Sequence, residues 1–76
     1  QGLDLADVVD MARGDAAGLD RLYRRHAPTL LGLARRILRD AASPEDLVHD
    51  VFLEAWRRAS TYEAQRGSVR AWLLLR

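Results

Sequence analysis

Apolar residues recur at helical spacing in separate runs along the chain, and each run is bounded by a stop or start signal. Leu5, Val8, Val9 and Ala12 fall on one helix face, and Gly14 follows as a stop. Asp15 is placed to cap the next helix start. From Leu19 the buried-type positions continue through Leu22, Tyr23, His26, Leu30, Leu33, Ala34, Ile37 and Leu38. This rhythm keeps its phase across Pro28, where a break would reset it. The pattern predicts one long helix kinked at Pro28, or two nearly collinear ones, ended by Asp40, Ala41 and Ala42. Ser43-Pro44-Glu45-Asp46 is a strong start: Ser43 as cap, Pro44 at the first helical position, Asp46 completing a capping box. The third helix runs to about Arg58, with Leu47, Val48, Val51, Phe52, Ala55 and Trp56 on one face. Residues 59–67 then form a polar loop, and Ser68 caps a last helix containing Val69, Trp72 and Leu73.

These elements predict an all-α fold, a small bundle of three to four helices with no strand. Tyr23, Leu30, Leu33, Ile37, Val48, Val51, Phe52, Trp56 and Trp72 are expected to share one core. Composition agrees: Ala (12) and Leu (13) far outnumber Val, Ile and Thr, which favours helix over sheet. At 76 residues the chain is one small domain, residues 1–76, with a thin core. It has no cysteine, which excludes disulfides and thiolate metal sites as supplements. The apolar run Trp72-Leu73-Leu74-Leu75 is far too short for a membrane span or a signal-peptide core. It also lacks a helix stop, and Gln1 is no initiator, so the chain reads as a piece of something longer, cut at its C-terminal end.

A net charge of +1 conceals a block pattern. Residues 1–20 carry net −4, residues 21–42 net +5, residues 43–56 net −4 and residues 57–76 net +4. Either the blocks are separate surfaces for differently charged partners, or neighbouring helices pair their opposite charges. All twelve basic residues are Arg, whose planar fork bonds phosphate or carboxylate bidentately and stacks on bases.

Candidate chemistry is sparse. His26 and His49 lie on different helices with no ligand cluster nearby, so no metal site is expected. No Ser-His-acid arrangement and no glycine-rich phosphate loop is present. Asp46 and Asp50 lie one turn apart on an open face, whereas a catalytic carboxylate pair needs burial to separate its pKa values. Neither an enzyme nor a cofactor is expected. The outward side of the third helix is more informative. Asp46, Asp50, Leu53 and Arg57 point away from the core, flanked by His49 and Glu54. Leu53 amid charges reads either as a lone exposed leucine or as a partner contact ringed by charge.

Three motifs together resemble region 2 of bacterial sigma factors, most closely the extracytoplasmic-function (group four) class. They are Gly14-Asp15-Ala16, Leu22 to His26, and Glu45 to Arg57 with the following stretch Tyr62 to Leu73. The resemblance covers nearly the whole chain. It implies an all-helical domain that docks on the clamp helices of RNA polymerase's beta-prime subunit. It also implies recognition and melting of the minus-ten promoter element. On this resemblance Asp46, His49, Asp50, Leu53, Glu54 and Arg57 are the polymerase-docking residues. Ser60, Tyr62, Gln65, Arg66, Ser68 and Arg70 are the DNA-binding residues, in a loop that takes up a flipped base of the single-stranded non-template strand. An anti-sigma factor is a further implied partner, the cytoplasm the implied location, and no membrane insertion is implied. The family's last helix runs further and is basic, and a helix-turn-helix domain follows it. The competing reading is a helical protein–protein adaptor with no nucleic-acid role.

Overall fold

The computed structural model describes residues 2–38 and 43–74. Four helices follow one another: α1 (Gly2–Ala12), α2 (Ala16–Leu38), α3 (Pro44–Arg58) and α4 (Val69–Leu74). Two short 3₁₀ turns, Ala59–Thr61 and Ala64–Arg66, join α3 to α4. No strand occurs among the described residues. The expected end of the second helix at residues 40–42 lies outside them.

The helix boundaries follow local chemistry. Gly14 takes φ +86°, a conformation that side chains resist, and lets the chain leave α1. Its N–H bonds the Met11 carbonyl at 2.9 Å, and the Asp15 N–H bonds the Asp10 carbonyl at 2.9 Å. Asp15 Oδ1 then accepts from the Ala17 N–H at 3.0 Å, capping α2. Helix α2 passes through Pro28 without interruption over its 23 residues. Ser43 Oγ accepts from the Asp46 N–H at 3.2 Å, and Pro44 opens α3 as expected. Ser68 Oγ accepts from the Ala71 N–H at 3.1 Å and starts α4.

One core joins all four helices: Val8 and Met11 of α1, Leu22, Leu30 and Ala34 of α2, Val48, Phe52 and Ala55 of α3, Val69 and Leu73 of α4. Leu33, Val51, Trp56 and Trp72 pack against it, partly buried. Two expected core residues do not belong. Ile37 is 72% exposed. It lies on the last turn of α2, beyond the level where Arg35 meets Glu45 at the start of α3. Tyr23 packs edge-on against Phe52, centroids 4.9 Å apart, yet stays 42% exposed. Leu47 is likewise turned outward.

Helix α1 departs most from its periodicity. Asp4, Asp7, Val8 and Met11 face inward, while Leu5, Val9 and Ala12 lie on the exposed flank. The cause is on α2. Arg21 Nε bonds Asp7 Oδ1 at 2.7 Å, Arg21 Nη2 bonds Asp10 Oδ2 at 2.8 Å, and Arg25 Nη1 bonds Asp4 Oδ1. Asp7 Oδ2 lies 2.9 Å from Arg25 Nη1 but has no aligned hydrogen-bond donor. The first two charge blocks therefore neutralise each other between neighbouring helices. Buried carboxylates are tolerable only with such partners.

His26 completes this network. It is buried, and its Nε2 lies 2.9 Å from Asp4 Oδ2. Arg70 Nε on α4 points at His26 Nδ1 from 3.4 Å. Arginine can only donate, so Nδ1 accepts and Nε2 carries its proton toward Asp4. Burial pushes the Asp4 carboxyl up, but the hydrogen bonds from His26 and Arg25 outweigh it and leave Asp4 below its ordinary value.

Candidate docking face and nucleic-acid interface

Helix α3 buries Val48, Phe52 and Ala55 and so turns the opposite side to solvent. Asp46, His49, Asp50, Leu53 and Arg57 are exposed there, and Glu54 is half-buried at the edge. All six residues expected on this face are brought together. Leu53 is 41% exposed. Glu54 meets Arg57 at 3.6 Å and Arg58 at 3.9 Å, both loose surface pairs. Asp46, His49 and Asp50 form no ion pair among the described residues. The negative charge of Asp46 and Asp50 is thus not paired among the described residues, unlike that of the acidic block on α1. Beside this face a groove of about 460 Å³ runs between α2 and α3. Leu19, Tyr23, Phe52 and Leu53 supply its apolar surface, with Asp20, Glu45 and Asp46 as carboxylates. The α2 side of this groove had no signal in the periodicity, because Leu19 and Tyr23 read as core.

The segment from Ser60 to Ser68 is mostly exposed but is more ordered than a plain polar loop. The Tyr62 hydroxyl donates to the Gly67 carbonyl at 2.7 Å. Its ring packs on Trp72 with centroids 5.4 Å apart. Thr61 Oγ1 donates to the Arg58 carbonyl at 2.7 Å. Gly67, at φ +144°, turns the chain into the Ser68 cap.

This folding shapes a slot of about 480 Å³. Tyr62, Arg66 and Ser68, three of the expected DNA residues, line it. Ser60, Gln65 and Arg70 do not. Ser60 lies in the first 3₁₀ turn against α1, Gln65 is exposed on the second, and Arg70 is engaged with His26. Arg58, Thr61, Glu63 and Trp72 also line the slot and were not expected there. Trp72 had been assigned to the core, and it does both: one part packs on the core, another walls the slot. Arg66 Nε rests on Glu63 Oε1 at 2.9 Å, an exposed pair that a competing anion can displace. The slot therefore offers two aromatic surfaces, two guanidinium groups, three hydroxyls and a carboxylate. An unpaired nucleobase needs a stacking surface and polar groups for its edge, and a phosphate needs cations.

Among the described residues no cluster of potential metal ligands forms, and no helix is long and apolar enough to cross a membrane.

Residues 22–76 match the sequence profile of sigma-70 region 2. The chain is similar to the ECF RNA polymerase sigma factor SigK of Mycobacterium ulcerans, 41% identical over 64 residues, which are 84% of this chain and 34% of that protein. It is 36% identical to the proteins of the same name from Mycobacterium bovis and Mycobacterium tuberculosis, again over 84% of the chain and 34% of each relative. The chain thus spans about a third of the length of the curated relatives it matches. No solved structure matches it.

Proposed function

Because the chain belongs to the sigma-70 region 2 family, we propose that it is the part of an extracytoplasmic-function sigma factor that joins RNA polymerase to the opened promoter. The α3 face of Asp46, His49, Asp50, Leu53, Glu54 and Arg57 docks on the clamp helices of the beta-prime subunit. Tyr62, Arg66 and Ser68, with Trp72, take up a flipped base of the non-template minus-ten strand. Stacking on an aromatic ring contributes about 1–3 kcal/mol per base. That is comparable to the few kcal/mol needed to unstack one base, so binding the flipped base favours the melted duplex. The factor acts in the cytoplasm, where polymerase and promoter are, and an anti-sigma factor that covers the α3 face would silence it.

The observation that carries this reading is the outward side of α3. An apolar Leu53 stands beside His49 and among Asp46 and Asp50, carboxylates that have no ion-pair partner among the described residues. Such a patch suits an apolar contact ringed by arginines on a helical partner. The test is binding of a beta-prime clamp-helix fragment, measured by isothermal titration. Asp50→Arg and Leu53→Ala are expected to weaken binding without loss of helical signal. If both variants bind as wild type, α3 is not the docking helix.

A further inference from the structure

Trp72 of α4 and the residue that caps this helix, Ser68, both line the slot. Helix α4 is six residues long, and Val69 and Leu73 are its buried side chains. An element so thinly anchored opens more readily than the rest of a fold. Its polar tie to α2 is the hydrogen bond from Arg70 Nε to His26 Nδ1 at 3.4 Å. His26 is 3% exposed and extends the contact to α1, with Nε2 2.9 Å from Asp4 Oδ2. The ring thus joins three helices, and it must be neutral to do so. Nδ1 accepts from Arg70 only while it carries no proton.

We propose that His26 is a positioning residue for the slot and a proton-responsive latch: the neutral ring holds α4 in place, and protonation of Nδ1 releases it. As far as it concerns base capture, the proposal rests on the reading of the slot as a base site. Two things change together on protonation. Nδ1 turns from acceptor to donor, so the Arg70 bond is lost, and the ring becomes a cation opposite a guanidinium. Arg70 is exposed and can swing into water, whereas His26 is enclosed and its new N–H is left without an acceptor. The strain is relieved when α4 moves away and water enters. The groups facing the ring set the balance. Asp4 from α1 favours the imidazolium, while Arg70 from α4 opposes it, as does Arg25 of α2, which is bonded to Asp4. Asp7, the next carboxylate along α1, is taken up by Arg21 and Arg25. Among the described residues, no charged group of α3 bonds the ring. Histidine changes charge between about pH 5 and 8, where carboxylates and guanidinium groups stay ionised. Acid therefore breaks the tie between α2 and α4 and keeps the one between α1 and α2.

The test pairs nuclear magnetic resonance of the nitrogen-labelled domain, titrated from about pH 8 to about pH 5, with fluorescence anisotropy of a labelled oligothymidylate over the same range. The His26 ring nitrogens are expected to show a proton on Nε2 alone at the upper end and on both at the lower. The amide signals of Val69 to Leu73 are expected to shift with the same midpoint, while those of α1 and α2 away from the ring stay in place. Arg70→Ala is expected to raise the His26 midpoint and to uncouple the α4 signals from it. Oligothymidylate affinity is expected to fall about three- to tenfold on acidification of wild type, the effect of one net hydrogen bond. His26→Gln keeps a donor for Asp4 and does not titrate, so its affinity is expected to stay level. Should that variant unfold, Arg70→Ala carries the same comparison from an exposed position. His49 is present in every variant, so a fall in affinity that persists in both belongs elsewhere and overturns the latch. Signals of α4 that ignore the His26 midpoint also overturn it. If α4 follows His26 but the strand binds at no pH, the latch is upheld and the reading of the slot is overturned. If the strand binds with an affinity independent of pH, the slot stands and the role of His26 in shaping it is overturned.

Discussion

Gly18→Ala and Gly32→Ala should move stability in opposite directions, although both glycines lie within α2. Helix propensity alone predicts that each alanine stabilises by about 1 kcal/mol. Gly32 has open space where a Cβ would stand, so propensity should decide there. Gly18 has none. A Cβ on Gly18 would lie 2.5 Å from the Asp7 carbonyl oxygen, 3.0 Å from Asp10 Cβ and 3.3 Å from the Met11 nitrogen. The nearest of these is backbone, so the clash cannot be relieved by rotating a side chain. Helix α1 must shift, and Met11 of the core and the Asp4–Arg25 and Asp4–His26 bonds shift with it. Overpacking of this kind costs about 1–3 kcal/mol, and the disturbed buried hydrogen bonds add to it. Set against the propensity gain, the net loss is about 1–2 kcal/mol. For a domain of this size that lowers the thermal midpoint by roughly 5–15 °C, while Gly32→Ala raises it by a few degrees. Thermal unfolding followed by far-ultraviolet circular dichroism measures both. A Gly18→Ala variant as stable as wild type would refute the close crossing of α1 and α2.

Two further outcomes follow from the core and the charge network. Phe52→Ala removes a buried ring that packs on Tyr23, and should cost about 3–5 kcal/mol in a urea titration, enough to unfold a marginal domain. Asp4 has a folded pKa below its unfolded value of about 3.9, so its contribution is fully present above that pH and is lost as pH falls through the folded value. Urea midpoints measured downward from about pH 5 should fall less steeply for Asp4→Asn than for wild type, and parallel curves would remove Asp4 from the acid transition.

The helix boundaries were legible because their causes are local. Gly14, Asp15, Ser43 and Ser68 act on groups within a few residues, and all four act as their residue types predict. The orientation of α1 was not legible. Its apolar spacing pointed to Leu5, Val8, Val9 and Ala12, but Asp4 bonds His26, 22 positions along the chain. Periodicity cannot register a partner at that distance. Gly18 reads as an ordinary weak point in a helix until α1 is seen against it. On α3 the outward face could be drawn from the helical angle alone, because the same helix buries Val48 and Phe52. The slot was only half legible. Tyr62, Arg66 and Ser68 were marked by family resemblance, whereas Arg58 and Trp72 belong to the flanking helices and come together with them only in three dimensions. Arg70, expected at the DNA by position, is exposed and reaches His26, 44 residues away, a contact that helical spacing does not register.

The proposed function turns on capture of a flipped promoter base in the slot while the domain is bound to polymerase. Its most direct test is the affinity of a polymerase core–domain complex for a labelled single-stranded minus-ten oligonucleotide, read by fluorescence anisotropy across a salt series. Tyr62→Ala is expected to weaken binding by about 1–3 kcal/mol through lost stacking. Arg66→Ala is expected to weaken it and to reduce the salt slope by about one, as loss of a phosphate contact requires. Wild-type affinity and an unchanged slope in both variants would contradict the account.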